Sequence, residues 1–153
     1  METARKPGSK PTVSVRAPQT GGGFLLALGD RVLMSDPFVV VGADAAGLSA
    51  ASKFRREAPD REAVVFEKGR WISFAYCGMP YFIEGRVERL SDLLSLSPSD
   101  VCDRGIDLRR GHEVVGVDPD ANRVRVRTAD GDAFEQPYSS LLVATGGRAV
   151  TAG

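Results

Sequence analysis

The fold of this chain is decided by the stretch PFVVVGADAAGLSAASKFRREAPDREAVVFEK, residues 37–68. Residues 37–42 are a short β-branched apolar run that stops at a glycine, which is typical of a buried parallel strand. Residues 43–58 have small and apolar side chains at helical spacing, and basic residues near the end suit the helix dipole before Pro59. Residues 63–67 are a second apolar run. Strand, helix and strand within about 30 residues predict a right-handed βαβ unit.

Beyond residue 68 the pattern predicts further elements of an α/β fold. Residues 97–105 are typical of a short capped helix. Residues 112–128 alternate on both sides of a DPDAN turn, which indicates a β-hairpin. Residues 137–147 have the pattern of a final strand that ends in two glycines. We therefore expect an α/β fold that starts with a βαβ unit and carries an inserted β-hairpin.

Composition excludes several classes of protein. Hydrophobic residues make up 42% and charged residues 26% of the 153 positions, as in a globular domain. The formal net charge is zero, so charge favours neither nucleic acid nor a membrane surface as a partner. No apolar run approaches the roughly 20 residues of a spanning helix. Two cysteines and no signal peptide predict a cytoplasmic location, and no motif predicts a metal site.

The N-terminal residues 1–36 differ from the rest of the chain. They are rich in Gly, Pro, Ser and Thr, carry more basic than acidic residues, and have no sustained periodicity. We expect them to be a disordered extension. A second interpretation stays open, because Met34 stands directly before SDPFVVVG and could be the natural start.

A glycine loop, residues 42–47, joins the first predicted strand to its helix. Gly42, Asp44 and Gly47 occupy the three positions of a G-x-G-x-x-G fingerprint. The outer glycines permit the tight turn and close helix packing, whereas aspartate at the middle position adds negative charge near a diphosphate. Glu67 ends the second strand 20 residues after Gly47, where a carboxylate can accept hydrogen bonds from a ribose diol. Together these features predict a dinucleotide site, and the alternative is a plain βαβ turn with an unrelated acidic residue.

A cysteine follows the second strand in SFAYCGMPY, residues 73–81. Ligands of a nucleotide-binding sheet lie beyond the carboxyl ends of its strands, so Cys77 is topologically close to the predicted crevice. If CGMPYFIEG begins a helix, the thiol lies at the positive end of the helix dipole. The alternative is a small buried hydrophobic residue, and position alone does not separate the two. We expect Cys102 to be structural and His112 to be a strand-edge residue rather than a catalytic base.

The stretch VVVGADAAGLSAASKFRREAPDREAVVFEKGRWISFAYCGMPYFIEG, residues 39–85, resembles the N-terminus of the pyridine nucleotide-disulfide oxidoreductases. Within that family it is most similar to the single-cysteine subgroup of coenzyme A-disulfide reductases, NADH oxidases and peroxidases. The glycine loop, FEK and S-[FY]-x-x-C-G-x-P elements appear in order. LLVATGG, residues 141–147, resembles the second segment that contacts FAD, although the proline usual after it is missing. In this subgroup the loop often lacks its middle glycine.

The resemblance implies a Rossmann-like FAD/NAD(P)-binding fold, with residues 37–153 as the N-terminal, incomplete part of an FAD-binding domain. The cofactor-binding residues it implies are Gly42, Ala43, Asp44, Ala45, Ala46, Gly47, Glu67, Lys68, Thr145 and Gly146. The coenzyme A-contacting residues it implies are Ser49, Lys53, Arg56, Ser73 and Tyr76. Tyr76 stands where an asparagine is common in the subgroup, which leaves the identity of the substrate open.

The resemblance also implies a mechanism. NADH reduces FAD, and the flavin passes electrons to Cys77, held as a mixed disulfide with coenzyme A or as a sulfenic acid. Dithiol relatives carry C-x-x-x-x-C, but positions 72 and 82 hold no cysteine here. The expected function is that of a coenzyme A-disulfide reductase. The alternatives are an NADH oxidase or peroxidase that uses a Cys77 sulfenic acid, and an inactive truncated nucleotide-binding module.

Full-length members of the family are homodimers and continue into an NADH-binding domain and a dimerisation domain. This sequence shows no second glycine-rich βαβ unit and thus no NAD(P)H site. We therefore expect an N-terminal fragment of such an enzyme, whose isolated activity is uncertain from sequence.

Overall fold

The computed structural model describes residues 36–147. The predicted N-terminal extension and the Met34 start lie outside this range, except for Asp36. The strands are β1 (Phe38–Val41), β2 (Ala63–Glu67), β3 (Ile106–Arg110), β4 (His112–Asp118), β5 (Arg123–Thr128), β6 (Ala133–Pro137) and β7 (Ser140–Val143). The helices are α1 (Ala45–Glu57), α2 (Met79–Ile83) and α3 (Pro98–Asp103), and 3₁₀ turns cover Tyr76–Gly78 and Leu90–Leu93.

Four of the strands form a parallel sheet in the order β3-β2-β1-β7. Its two central strands, β1 and β2, are connected through α1 and pair in parallel, so the predicted βαβ unit is confirmed. The final strand β7 pairs in parallel with β1. Because all four strands point the same way, the loops that follow β1, β2 and β7 meet at one edge of the sheet.

The two faces of this sheet bury different partners. Successive strand residues point to opposite faces. On one face Val40 and Val65 pack with Leu48 and Ala51 of α1 in a fully or nearly fully buried cluster. The other face packs against a three-stranded antiparallel sheet of order β4-β5-β6. Residues of that second cluster are Val39, Val64, Phe66, Val124, Val126 and Tyr138.

The predicted hairpin and the predicted short capped helix are confirmed, since residues close in sequence determine both. The hairpin of residues 112–128 is present as β4 and β5, with an irregular register between Val114 and Gly116. Helix α3 begins with a capping box, in which Ser97 Oγ accepts from Asp100 N and Asp100 Oδ2 accepts from Ser97 N at 2.7 Å. The final strand is shorter than predicted, because the ladder ends at Val143 and the chain leaves the sheet.

Two strands were not predicted from the sequence. Strand β3 reads IDLRR, and only Ile106 in it is buried. It forms the edge of the parallel sheet and pairs with β2 alone, so its polar residues are tolerated. Strand β6 reads AFEQP and extends the hairpin into a three-stranded sheet. The longest helix in residues 36–147 has 13 residues, and none of the helices there could span a bilayer.

Candidate functional site

A cleft of about 480 Å³ opens at the carboxyl edge of the parallel sheet. Its walls are the glycine loop after β1, the end of β2, the start of β4 and the residues after β7. Most of the predicted cofactor-binding residues line it, namely Gly42, Ala43, Asp44, Glu67, Lys68, Thr145 and Gly146. The remaining three, Ala45, Ala46 and Gly47, form the first turn of α1. The volume lies within the range of small-molecule sites in proteins.

The two outer glycines of the loop are required by close backbone contacts. Gly42 has a φ of +105°, and a Cβ there would lie 2.4 Å from the carbonyl oxygen of Ala144. A Cβ on Gly47 would lie 1.9 Å from the carbonyl oxygen of Gly42. The turn into α1 and the segment after β7 therefore approach each other at distances that only glycine permits. This confirms the structural part of the fingerprint prediction.

Glu67 connects the end of β2 to the glycine loop. Its Oε2 accepts a hydrogen bond from the backbone N–H of Ala43 at 2.9 Å, and Oε1 accepts from Gly69 at 2.7 Å. Each carboxylate oxygen retains a second lone pair for a ligand hydroxyl. The structure thus fixes the orientation of Glu67, while its predicted contact with a ribose stays a prediction.

Asp44 is the N-cap residue of α1, but its side chain does not cap the helix. Instead Oδ1 accepts a hydrogen bond from the backbone N–H of Phe74 at 2.9 Å. The first amides of a helix have no intrahelical acceptor, and the helix dipole makes such amides a binding site for anions. Because Asp44 is engaged elsewhere, the first-turn amides of α1 are left uncapped by it.

The thiol loop, residues 73–78, lies against the glycine loop. The backbone N–H of Ser73 donates to the carbonyl oxygen of Ala43 at 2.9 Å, next to the Asp44–Phe74 bond. Cys77 is exposed and lies in the 3₁₀ turn Tyr76–Gly78. The predicted helix is present as α2, which is one turn long and begins after the thiol. Exposure excludes the alternative that Cys77 is a buried hydrophobic residue.

Three aromatic rings lead from the cleft to the thiol loop. The Trp71 and Phe74 ring centroids are 6.5 Å apart, and those of Phe74 and Tyr76 are 5.0 Å apart. All three side chains line the cleft, and Tyr76 directly precedes Cys77. The sulfur itself is not part of the lining. Three chain steps separate Cys77 from Phe74, a Cα–Cα distance of at most about 11 Å.

The polar wall of the cleft contains residues that sequence reasoning missed. His112 lies on the first position of β4, where Nδ1 donates to the carbonyl oxygen of Arg110 at 2.8 Å. The expectation that it lies at the edge of a strand is confirmed, and it also lines the cleft, while its lack of a catalytic role stays a prediction. The sequence signal that could have located it is the short run Ile106–Arg110. Read as a parallel strand, this run places His112 just past the carboxyl edge of the sheet.

Glu113, beside His112, lies between two basic side chains, Arg127 and Lys68. Its Oε2 accepts from Arg127 Nη2 at 2.7 Å, and Lys68 Nζ lies 3.8 Å from Oε1. The hydrogen bond from Arg127 holds the pKa of Glu113 below its usual value, with smaller contributions from the charges of Arg127 and Lys68. Lys68, a predicted cofactor-binding residue, therefore lies at the rim of the cleft within ion-pair distance of this carboxylate.

The predicted coenzyme A-contacting residues fall into two groups. Ser49, Lys53 and Arg56 are exposed on one face of α1. Lys53 is hydrogen-bonded to Glu57, and this bond lowers the pKa of Glu57. The second group, Ser73 and Tyr76, belongs to the thiol loop at the N-terminus of the same helix.

Cys102 lies on α3 and is exposed. The residue of that helix that is fully buried is its neighbour Val101, and the structural role expected for Cys102 stays a prediction.

A dinucleotide-type cleft next to an exposed thiol defines a class of protein, and comparison with known sequences identifies the family. Residues 36–153 match the profile of the pyridine nucleotide-disulphide oxidoreductases. A coenzyme A disulfide reductase of Staphylococcus haemolyticus is 37% identical over 117 residues, which cover 75% of this chain and 27% of that protein. An NADH oxidase of Methanocaldococcus jannaschii is 36% identical over 109 residues, which cover 71% and 24%. The chain belongs to this family.

Solved structures agree with this assignment. Reduced Bacillus anthracis CoADR-RHD superposes with a TM-score of 0.73 at 29% identity, covering 77% of this chain and 22% of that one. The water-forming NADH oxidase from Lactobacillus brevis bound to NADH also gives 0.73, at 28% identity, with 78% and 27% covered. The fold is therefore that of the Rossmann-like FAD/NAD(P)-binding oxidoreductases. The chain spans about a quarter of the length of the curated relatives that it matches.

Proposed function

We propose that this chain binds FAD in the cleft and presents Cys77 as the redox-active thiol of a coenzyme A-disulfide reductase. The observation that carries this proposal is the connection between the two parts. The loop that holds Cys77 is hydrogen-bonded to the same glycine loop that lines the cleft, through Ser73 to Ala43 and Phe74 to Asp44. We propose nicotinamide binding and homodimer formation only for proteins as long as the full-length relatives, and not for these 153 residues alone.

The residues of the cleft fit the nucleotide part of FAD. The uncapped first turn of α1 offers backbone N–H groups to a diphosphate. Glu67 has lone pairs available for ribose hydroxyls, and Thr145 and Gly146 face the cleft from the end of β7. When bound, FAD supplies the transfer of two electrons between a reduced nicotinamide and a disulfide. The chain contributes the backbone N–H groups that bind the phosphates, and it positions the thiol.

The thiolate of Cys77 can attack a disulfide without any further reactant. Its sulfur forms a bond to one sulfur of coenzyme A disulfide, the disulfide bond breaks, and one coenzyme A leaves as its thiolate, which takes a proton from water. Exposure of Cys77 permits this approach. Lys53 and Arg56 on α1 supply cations for the phosphates of coenzyme A, and Ser49, Ser73 and Tyr76 supply hydroxyl groups.

Two measurements on the purified chain test this function. The first is a titration with FAD, in which flavin absorbance retained by the protein after ultrafiltration reports binding. We expect retention by the wild type and a large loss in Gly47→Ala. The second is incubation with coenzyme A disulfide, followed by mass spectrometry of the peptides.

In the second measurement we expect one coenzyme A adduct on the peptide that contains Cys77. The adduct is absent in Cys77→Ser and retained in the matched variant Cys102→Ser. Equal modification of both cysteines, or no retained flavin, would contradict the proposed function. Retained flavin without a coenzyme A adduct would favour an inactive nucleotide-binding module.

A second candidate function is that of an NADH oxidase or peroxidase. Both cysteines of the chain are free, so Cys77 has no disulfide partner and suits a sulfenic acid. The thiolate attacks peroxide, the O–O bond breaks, and Cys77–SOH and water result after proton transfer. Trapping with dimedone after one equivalent of peroxide distinguishes this candidate. The oxidase or peroxidase function is favoured if peroxide gives a dimedone adduct on Cys77 and coenzyme A disulfide gives no coenzyme A adduct there.

A further inference from the structure

We propose that Asp44 is a positioning residue that couples the glycine loop to the thiol loop and thereby fixes the location of Cys77. This inference rests on the proposed function insofar as it takes Cys77 to be the redox-active thiol. The side-chain hydrogen bond that the structure gives Asp44 is to the thiol loop and not to the sulfur. It acts through the backbone of Phe74.

The coupling consists of two neighbouring hydrogen bonds. Asp44 Oδ1 accepts from Phe74 N at 2.9 Å across 30 residues of sequence, and this bond is partly buried. The adjacent amide, Ser73 N, donates to the carbonyl oxygen of Ala43 at 2.9 Å. Two consecutive residues of each loop therefore hold the other loop in register.

Only one of these two bonds depends on a side chain. The Ser73–Ala43 bond joins backbone atoms and survives any substitution that leaves the chain in place. The Phe74–Asp44 bond requires an acceptor at position 44, which glycine, the usual residue of the fingerprint, cannot supply. A hydrogen bond to a carboxylate is roughly twice as strong as one between neutral groups. This gives a physical reason for an aspartate in a loop that binds an anionic ligand.

The competing role for an aspartate at this position is helix capping, and the geometry excludes it. Asp44 has the extended backbone of an N-cap, but its side chain makes no hydrogen bond to the first turn of α1. Removing the carboxylate therefore removes the contact with Phe74 and leaves the hydrogen bonds of the helix unchanged. That separation makes the proposal testable by substitution.

The thiol loop is held from its other side as well. Ala75 N donates to the carbonyl oxygen of Leu93 at 2.8 Å, and Ser95 N donates to that of Ser73 at 2.9 Å. Ser73 has a φ of +48°, a value that non-glycine residues rarely adopt. Such a conformation persists only where surrounding contacts hold it. Loss of the Asp44 contact is therefore expected to let residues 73–78 relax, and Cys77 moves with them.

The test uses the intact chain, without cofactor. Hydrogen exchange followed by NMR gives the ratio of the exchange rate of the Phe74 amide to that of the Val101 amide. Val101 N is the internal reference, because it donates to the carbonyl oxygen of Ser97 in α3, which is held by its own capping box. The variants are Asp44→Ala, Asp44→Asn and, as a matched control, the exposed turn residue Asp130→Ala. Exchange of the Gly78 amide, which donates to the carbonyl oxygen of Ala75, reports whether the turn of Cys77 loosens as well.

We expect Asp44→Ala to raise the Phe74:Val101 exchange ratio about tenfold, the factor for a loss of roughly 1.4 kcal/mol. Asp44→Asn retains an acceptor without the charge, so it should raise the ratio only about two- to threefold. Asp130→Ala should leave it unchanged. Exchange of the Gly78 amide should follow the same order. If Asp44→Ala fails to fold, the intermediate ratio of Asp44→Asn decides the matter.

A ratio equal to that of the wild type in the folded Asp44 variants overturns the proposal. A Phe74 amide that is already unprotected in the wild type does so too. These results are distinct from failure of the proposed function, which is detected by absence of FAD binding and of the coenzyme A adduct. Either result can occur without the other.

Discussion

Cys77 and Cys102 are both exposed and lie on short helical turns, yet different kinds of contact hold them. The turn of Cys102 is fixed by its own neighbours, through the Ser97–Asp100 capping box. The loop of Cys77 is fixed by distant residues, since its amides bond to the glycine loop 30 residues upstream. Exposure alone therefore does not distinguish the two thiols. What distinguishes them is that only the loop of Cys77 is connected to the cleft.

The largest effect is expected from disrupting the glycine loop, which supports the loop of Cys77 but not the turn of Cys102. In Gly47→Ala the new Cβ meets the backbone oxygen of Gly42, which cannot rotate away. We expect the free energy of unfolding to fall by about 3 kcal/mol, the upper end of overpacking costs. Urea denaturation measures this change.

Gly116→Ala is the matched control for this substitution. The nearest atom to a Cβ at Gly116 is 3.8 Å away, an ordinary contact. We expect a change in the free energy of unfolding within about 0.5 kcal/mol. If the two variants are equally stable, the glycine loop does not have the close packing described here.

A second prediction compares two buried apolar residues, one packed against the turn of Cys77 and one in the helix of Cys102. Leu93 contacts the turn of Cys77, and Val101 is the fully buried residue of the helix that carries Cys102. Leu93→Ala should cost about 2–3 kcal/mol of unfolding free energy through the cavity it leaves. It should also speed hydrogen exchange of the Ala75 amide, which donates to Leu93, relative to the Arg104 amide, which donates to Val101. Val101→Ala should shift this ratio the other way. A shift in the same direction in both variants would show that the two regions loosen together.

The smallest effect concerns the pH dependence of the Cys102 turn. Hydrogen bonds from the Ser97 hydroxyl and backbone N–H lower the pKa of Asp100. Because the pKa of Asp100 is lower in the folded state, the ionised carboxylate stabilises the fold at pH values above the ordinary aspartate pKa of about 3.9. That stabilisation is lost as the pH falls through the lowered value. The difference in unfolding free energy between wild type and Asp100→Asn should thus be present at pH 7 and vanish in acid. A difference that persists in acid would assign it to another cause.

Local sequence predicted those parts of the fold that depend on local residues. The run that became β1 is apolar throughout, the run that became β2 is apolar up to its final Glu67, and the cap of α3 lies within four residues. Strand β3 escaped prediction because an edge strand with one neighbour does not need a continuous apolar run. Missing it also hid the position of His112 at the cleft.

The candidate site was predicted in its residue types but not in its connections. The fingerprint and its resemblance to a family placed Gly42, Glu67 and Cys77 near one ligand. The hydrogen bond from Phe74 to Asp44 joins residues whose proximity depends on the packing of the whole sheet. For that reason the charge of Asp44 appeared from the sequence to be only a cost to anion binding, whereas the structure gives it a partner.

The central claim is that the thiol of Cys77 lies beside the flavin when FAD occupies the cleft. The most direct measurement is the alkylation rate of each cysteine as FAD is titrated into the wild-type chain. The account predicts that saturating FAD slows alkylation of Cys77 several-fold and leaves that of Cys102 unchanged. Bound FAD with no change in the rate at Cys77, or with equal slowing at both cysteines, would contradict it.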